Sequence, residues 1–266
     1  MRLRSCILLL LILISMGALS AHGQTTSSNV YIFPLFVDGT LGTTSFRSTL
    51  KITNTSSLNP MQCSLVQRNT SAPFTGIDGD FYSADVFDGG FSPPALTFPI
   101  TLSNFLPFEI LRTSAATPLK SGYAKLSCPG TVSTQLQFSM FSGNNKLSEA
   151  TIAPAAQGNS FQFLVDRRDG TRLGFSLAND SNTGGQYALI ARDQFNNIVD
   201  QNFEFLDPFS QVSKFVDEML TLPSNFVGSV ELVGIPSASS FAVGLQFTGT
   251  VFTTVQPLVR ATPLPH

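Results

Sequence analysis

One pattern, written twice, limits what this chain can fold into. Residues Tyr31 to Ser56 read YIFPLFVDGTLGTTSFRSTLKITNTS, and a looser copy from Phe161 to Ser181 reads FQFLVDRRDGTRLGFSLANDS. In the first copy an apolar run rich in β-branched and aromatic residues meets a turn signal at Asp38-Gly39. Phe46, Ser48, Leu50 and Ile52 then alternate with Arg47, Thr49, Lys51 and Thr53. A period of two describes a strand with one buried and one wet face. Asn54-Thr55-Ser56-Ser57 closes it with short polar side chains that bond back to the local backbone. Arg47, Leu50, Ile52, Asn54 and Ser56 reappear 125 positions later as Arg172, Phe175, Leu177, Asn179 and Ser181. Val37-Asp38 matches Val165-Asp166 with a hairpin loop about three residues shorter. Two more matches follow in the same order. Gly122-Tyr123-Ala124-Lys125-Leu126 pairs with Gly228-Ser229-Val230-Glu231-Leu232, and Leu136-Gln137-Phe138-Ser139 with Leu245-Gln246-Phe247-Thr248. Ordered matches of this kind argue for a duplicated domain.

The 266 residues leave room for two such units of ordinary size. Arg2 and Arg4, an apolar stretch from Cys6 to Leu19, and the small residues of Ala21-His22-Gly23 read as a signal peptide over 1–23. That stretch is shorter than the ~20 residues a membrane-spanning helix needs. An uncleaved anchor is the alternative. No other segment is apolar enough to span, so no membrane span is expected after cleavage. Without Arg2 and Arg4 the chain holds 13 basic and 17 acidic residues. This balance gives no electrostatic footprint for nucleic acid. Charged residues are 12%, about half the usual ~25%, and Ser, Thr, Asn and Gly replace them, as in many exported β-proteins. With 24 Phe and no Trp, the cores are built on Phe, Leu, Val and Ile.

The expected plan is a polar lead-in at 24–29, a β-sandwich at 30–153 with a long excursion at 69–94, and a linker at 154–160. A second β-sandwich follows at 161–258, with a loose tail at 259–266. One segment breaks the β rhythm. Val212, Phe215, Val216 and Met219 fall at helical spacing within Ser210 to Leu220, with Ser210 as N-cap, which predicts one short helix at about 210–220. Cys63 and Cys128 remain after signal removal. An even pair in an exported chain predicts a disulfide within the first unit, two separate buried thiols being the alternative. Their counterparts in the second unit fall near Tyr187 and Gly234.

Several of these residues resemble a family of exported bacterial proteins built from tandem immunoglobulin-like β-sandwich repeats. The likeness rests on Phe33-Pro34-Leu35-Phe36-Val37-Asp38-Gly39 leading to Thr49-Leu50-Lys51-Ile52-Thr53-Asn54, and on Cys63. It also rests on Gly122-Tyr123-Ala124-Lys125-Leu126-Ser127-Cys128, and on Lys214-Phe215-Val216-Asp217-Glu218-Met219 before Gly228-Ser229-Val230-Glu231-Leu232. It covers roughly 30–256 and lacks the cysteines in the second half. It implies an all-β fold of two tandem immunoglobulin-like sandwiches, and export, but no particular activity.

Chemistry is limited by what is missing. The two histidines are His22, in the signal peptide, and His266, the last residue. A Ser-His-Asp or Cys-His mechanism then has no base in the folded body, and zinc loses its commonest ligand. No glycine-rich phosphate loop follows a strand. An enzyme is therefore not expected, and no cofactor is called for. The best ligand candidate is the acidic excursion. Asp78, Asp80, Asp85 and Asp88, interleaved with glycine, are of the type that wraps Ca²⁺, against the plainer reading of a solvated turn. Phe81, Tyr82 and Phe87 beside them could stack on a sugar or simply pin the loop down. Asn54-Thr55-Ser56, Asn69-Thr70-Ser71 and Asn179-Asp180-Ser181 fit the glycosylation pattern and are read as strand-end turns. The expectation is an exported, non-catalytic protein for interaction, adhesion or cell-envelope structure, meeting an unknown protein or glycan at the cell surface. The alternative is an accessory module that binds carbohydrate or a similar ligand through 69–94.

Overall fold

A computed structural model describes residues 28–69, 83–84, 95–103, 106–111, 119–235 and 238–260. The expected signal peptide and most of the acidic excursion lie outside these residues. The described chain is almost wholly antiparallel strand. The first unit contains β1 (Asn29–Leu41), β2 (Thr44–Asn54), β3 (Met61–Asn69), β4 (Ser83–Ala84), β5 (Ala95–Leu102), β6 (Pro107–Leu111), β7 (Lys120–Cys128), β8 (Val132–Ser142) and β9 (Asn145–Ile152). The second contains β10 (Gln157–Gly158), β11 (Ser160–Asp166), β12 (Arg172–Ala178), β13 (Gly185–Asp193), β14 (Ile198–Leu206), β15 (Gln211–Phe215), the helix α1 (Val216–Met219), β16 (Val227–Ile235), β17 (Ser240–Thr248), β18 (Val251–Val255) and β19 (Leu258–Arg260).

The duplication is visible strand by strand. In the first unit β1, β3 and β5 join through β7 in the order β5-β3-β7-β1, while β2 pairs β6 and β8, and β8 pairs β9. In the second the same ladders run β14-β13-β16-β11, with β12 pairing β15 and β17, and β17 pairing β18. The two sheets of the first unit are continuous because β1 serves both. Asn29 to Asp38 pairs β7, a register shift falls between Phe33 and Phe36, and Gly39 to Leu41 then pairs β2. A bulge of this kind bends a strand and lets it change sheets.

The all-β sandwich class stands, but the strands are shared out differently from an immunoglobulin domain. Such a domain places its first, second, fifth and fourth strands in one sheet and its third, sixth and seventh in the other. Counting eight equivalent strands per unit, the second–fifth and third–sixth pairs occur here. The first strand instead joins the sixth, and the seventh joins the second.

Inward faces follow the alternation. Leu50, Ile52, Phe33, Leu65, Leu126 and Leu136 are buried in one core. Phe161, Phe163, Phe175, Leu177, Leu189 and Leu232 are buried in the other. Three boundaries need correction. The helix is only Val216–Met219, because Gln211–Phe215 is a strand paired with β12. Val212 packs on the core while Gln211 and Ser213 bond across to Ser176, so the segment alternates instead of winding. Ser210 donates to Asp207 O, and the helix is capped by Phe215 N donating to Glu218 Oε2 at 2.9 Å. Gln157–Gly158, within the expected linker, pairs Phe241 and Ser240 of β17. Leu258–Arg260, which runs from the end of the second sandwich two residues into the expected tail, pairs β11.

Candidate functional site

Cys63 and Cys128 face each other on neighbouring strands of one sheet and are bonded, with Cα atoms 4.4 Å apart. That separation is typical of a directly opposed pair between ladder hydrogen bonds. The counterparts are the opposed pair Tyr187 and Gly234. Tyr187 is fully buried, and a Cβ on Gly234 would lie 2.3 Å from Ala238 O. A phenol and a hydrogen thus occupy in the second unit the place that the disulfide occupies in the first. The remaining candidates suggested by the sequence, Asp78, Asp80, Asp85, Asp88, Phe81, Tyr82 and Phe87, lie outside the described residues. Among the described residues no group of three His, Cys, Asp or Glu side chains could hold a metal ion.

What the structure adds is the seam between the two units. The outer face of β1, β3 and β7 lies on the outer face of β12, β15 and β17. The two sequence repeats are not in step with the ladders here. Leu136 stands opposite Leu50, and Gly244 stands opposite Phe175, the counterpart of Leu50. The sequence match that set Leu136 on Leu245 is therefore one residue out. A one-residue slip moves every side chain to the other face. Val243, Leu245 and Phe247 consequently point out of their own sandwich, and Val243 and Leu245 are buried with Leu35 and Val37 of the first unit. The positions they occupy are Gln135, Gln137 and Ser139 in the first unit.

Polar contacts fix the alignment of the seam. Asp180 accepts from Tyr123 Oη at 2.8 Å and pairs with Lys125 Nζ at 2.7 Å. Burial first, and the Asp180 carboxylate second, push the Tyr123 phenol well above its ordinary range, so it stays a donor. Ser176 Oγ donates to Pro34 O at 2.7 Å, and Ala155 N donates to Ile32 O at 2.8 Å. The Arg68 guanidinium lies 4.2 Å above the Phe209 ring. At the far end Phe252 N donates to Ser148 Oγ, Thr254 Oγ1 donates to Thr151 O, and the Phe138 and Phe252 rings sit 5.0 Å apart. None of these residues carries a motif for catalysis or ligand binding. The signal that could have found them is the run of apolar residues on both faces of β17, which alternation alone assigns to one face.

The seam leaves two cavities. One, of about 420 Å³, is walled by apolar side chains of both units, among them Leu35, Val37, Phe46, Phe138, Leu245 and Phe247, with Lys214 and Glu218 on its lining. The other, of about 800 Å³, is more polar and includes Gln157, Asn179, Asp180, Thr183, Tyr187 and Phe241. No protein-family model, curated protein or solved structure matches this chain. A third hollow lies by Arg167 and Arg172, which both grip Asp217 of α1, at 3.1 and 2.8 Å. Hydrogen bonding from Arg172 holds the Asp217 carboxyl below the usual carboxylate range. Asp217 is thereby a clasp that ties the helix to β12.

Proposed function

We propose that this chain is an exported, non-catalytic protein with a role in interaction, adhesion or cell-envelope structure. The observation that carries this reading is the seam. Its part-buried ion pair and shared apolar core tie two sandwiches into one body. A body of this kind suits the presentation of a fixed surface. The absence of histidine between residues 22 and 266 supports the same reading from the side of chemistry. Fractionation of a bacterial host expressing a C-terminally tagged chain, with N-terminal sequencing, tests it. The expected product lies outside the cytoplasm and begins after Gly23. A full-length cytoplasmic product contradicts export.

A second reading, a module that takes carbohydrate or a similar polar ligand, is supported by the polar cavity at Asn179, Asp180 and Thr183. The aspartates of residues 78–88 would add Ca²⁺ assistance, and Phe81, Tyr82 and Phe87 beside them a stacking surface for the ligand. Thermal-shift measurements with Ca²⁺ and a glycan panel separate the readings. A stabilisation lost in Asp80→Ala favours the acidic excursion, one lost in Thr183→Ala favours the polar cavity, and no shift leaves the first reading alone.

A further inference from the structure

The apolar cavity in the seam has the size and the walls of a ligand site. Its volume of about 420 Å³ falls within the ~300–1,000 Å³ of small-molecule pockets. Phe46, Phe138, Phe247 and Phe215 of its lining are linked through Phe252 into one row of rings that crosses from the first unit to the second. Phe46 stacks on Phe138 at 5.8 Å, and Phe138 meets Phe252 at 5.0 Å. Phe252 meets Phe247 at 5.3 Å, and Phe247 meets Phe215 edge-on at 5.2 Å. Leu35, Val37 and Leu245 line the space from the shared core, and all three are buried. Leu41, also of the lining, is 65% exposed and marks the side that opens to water.

Both charged side chains of the lining are engaged. Lys214 pairs with Glu204 at 2.6 Å, and Glu218 Oε2 accepts from Phe215 N at 2.9 Å. Its hydroxyls are engaged as well, Ser213 donating to Ser176 Oγ at 3.0 Å and Ser176 to Pro34 O at 2.7 Å. What the space offers a guest is burial and dispersion. Gly174 keeps it open. This glycine lies inside β12, opposite Leu245 on one side and Phe215 on the other, where the first unit has Thr49. A Cβ on Gly174 would meet Phe215 and Phe247 at 3.6 Å, an ordinary van der Waals contact, so the backbone admits a side chain there. Glycine within a strand weakens it and often marks the close approach of a ligand. A larger residue would take up part of the space and return contacts that its walls now lack.

We infer that the seam cavity binds the hydrocarbon chain of a small amphiphile. The chain lies along the row of phenylalanine rings, between the two units, and its polar head stays at the rim beside Leu41. A row of rings that extends across the seam suits a chain better than a compact solute. A sugar or a nucleotide would find the polar side chains of this lining already bonded to the protein. The site shares no residue with the polar cavity at Asn179 and Asp180.

Isothermal titration calorimetry of the purified protein with 1-octanol and 1-decanol tests the assignment, with methyl NMR spectra to locate the bound alcohol. Saturable one-to-one binding is expected, tightening about fourfold per added methylene and so about fifteenfold from octanol to decanol. The methyl signals of Leu35, Val37 and Leu245 are expected to shift, and those of Leu189 and Leu232 in the second core to stay. Gly174→Leu is expected to weaken decanol binding at least tenfold. Absent or non-saturable binding of decanol overturns the inference. So do methyl shifts in the second core with none at the seam, or a folded Gly174→Leu protein that binds decanol as tightly as the wild type. If Gly174→Leu does not fold, the methyl shifts decide by themselves.

Discussion

Asn54 and Asn179 show how closely the two copies agree at the level of single side chains. Asn54 Nδ2 donates to Leu58 O at 2.6 Å, and its Oδ1 accepts from Ser56 N and Oγ. Asn179 Nδ2 donates to Thr183 O at 2.8 Å, and its Oδ1 accepts from Ser181 N and Oγ. Both side chains are buried, so the glycosylation pattern is used as a turn. Asn179→Ala strands these groups and is expected to cost about 1–3 kcal/mol in urea unfolding; an unchanged midpoint contradicts the assignment. The disulfide closes a separation of 65 residues. Replacing both Cys63 and Cys128 by Ala is expected to lower stability by about 4 kcal/mol on the chain-entropy account, while mass spectrometry of the wild type reads two daltons below the reduced chain. Asp217 gives a pH dependence. Its folded pKa is depressed, so its contribution is complete above the unfolded value of about 3.9 and is lost as pH falls through the folded value. Asp217→Asn is expected to flatten that part of the acid limb and leave neutral-pH titration behaviour unchanged; an identical acid limb in both proteins contradicts the clasp.

Among the strands, β17 packs on both units. Its inward Ala242 and Gly244 are small, and its outward Val243, Leu245 and Phe247 are large. Its counterpart β8 has large inward residues and an outward Gln135 and Gln137. Leu245→Ala is therefore expected to cost about 2–5 kcal/mol, as in a core, whereas Gln135→Ala stays within about 0.5 kcal/mol. Equal effects of the two substitutions on the denaturation midpoint contradict the slip. The strand pattern of the first copy was legible in the sequence, since the alternating Phe46, Ser48, Leu50 and Ile52 fall within β2. Alternation reports burial on one face, and that is the situation of most strands here. It misread Gln211–Phe215, where Val212, Phe215, Val216 and Met219 satisfy a helical period by joining the end of a strand to one turn of helix. It passed over β10 and β19, whose two and three residues are too few to show any period. It could not register β17, where both faces are covered. The candidate site was less legible than the fold, because Asp180, Ser176 and Tyr123 acquire their roles only when the second unit is laid on the first.

The molecule as a whole is two copies of one sandwich that have diverged at their outer surfaces. In the first, the face of β1, β3 and β7 is covered by the second unit. In the second, the equivalent sheet carries a buried Glu231 between Arg192 and Arg260, each 3.5 Å away. Arg192 is the counterpart of Arg68, and Glu231 of Lys125, so the same two places serve a seam in one unit and an internal ion network in the other. Removing one member of a buried pair strands the rest, and Glu231→Gln is expected to cost about 3–5 kcal/mol, read as a lower thermal midpoint. With Val243 and Leu245 in the first unit's core, the seam is expected to make one cooperative body of the two units. Scanning calorimetry tests it most directly. A single transition with equal calorimetric and van't Hoff enthalpies is expected for the wild type, splitting into two in Leu245→Lys/Asp180→Ala. Two independent transitions in the wild type would contradict it.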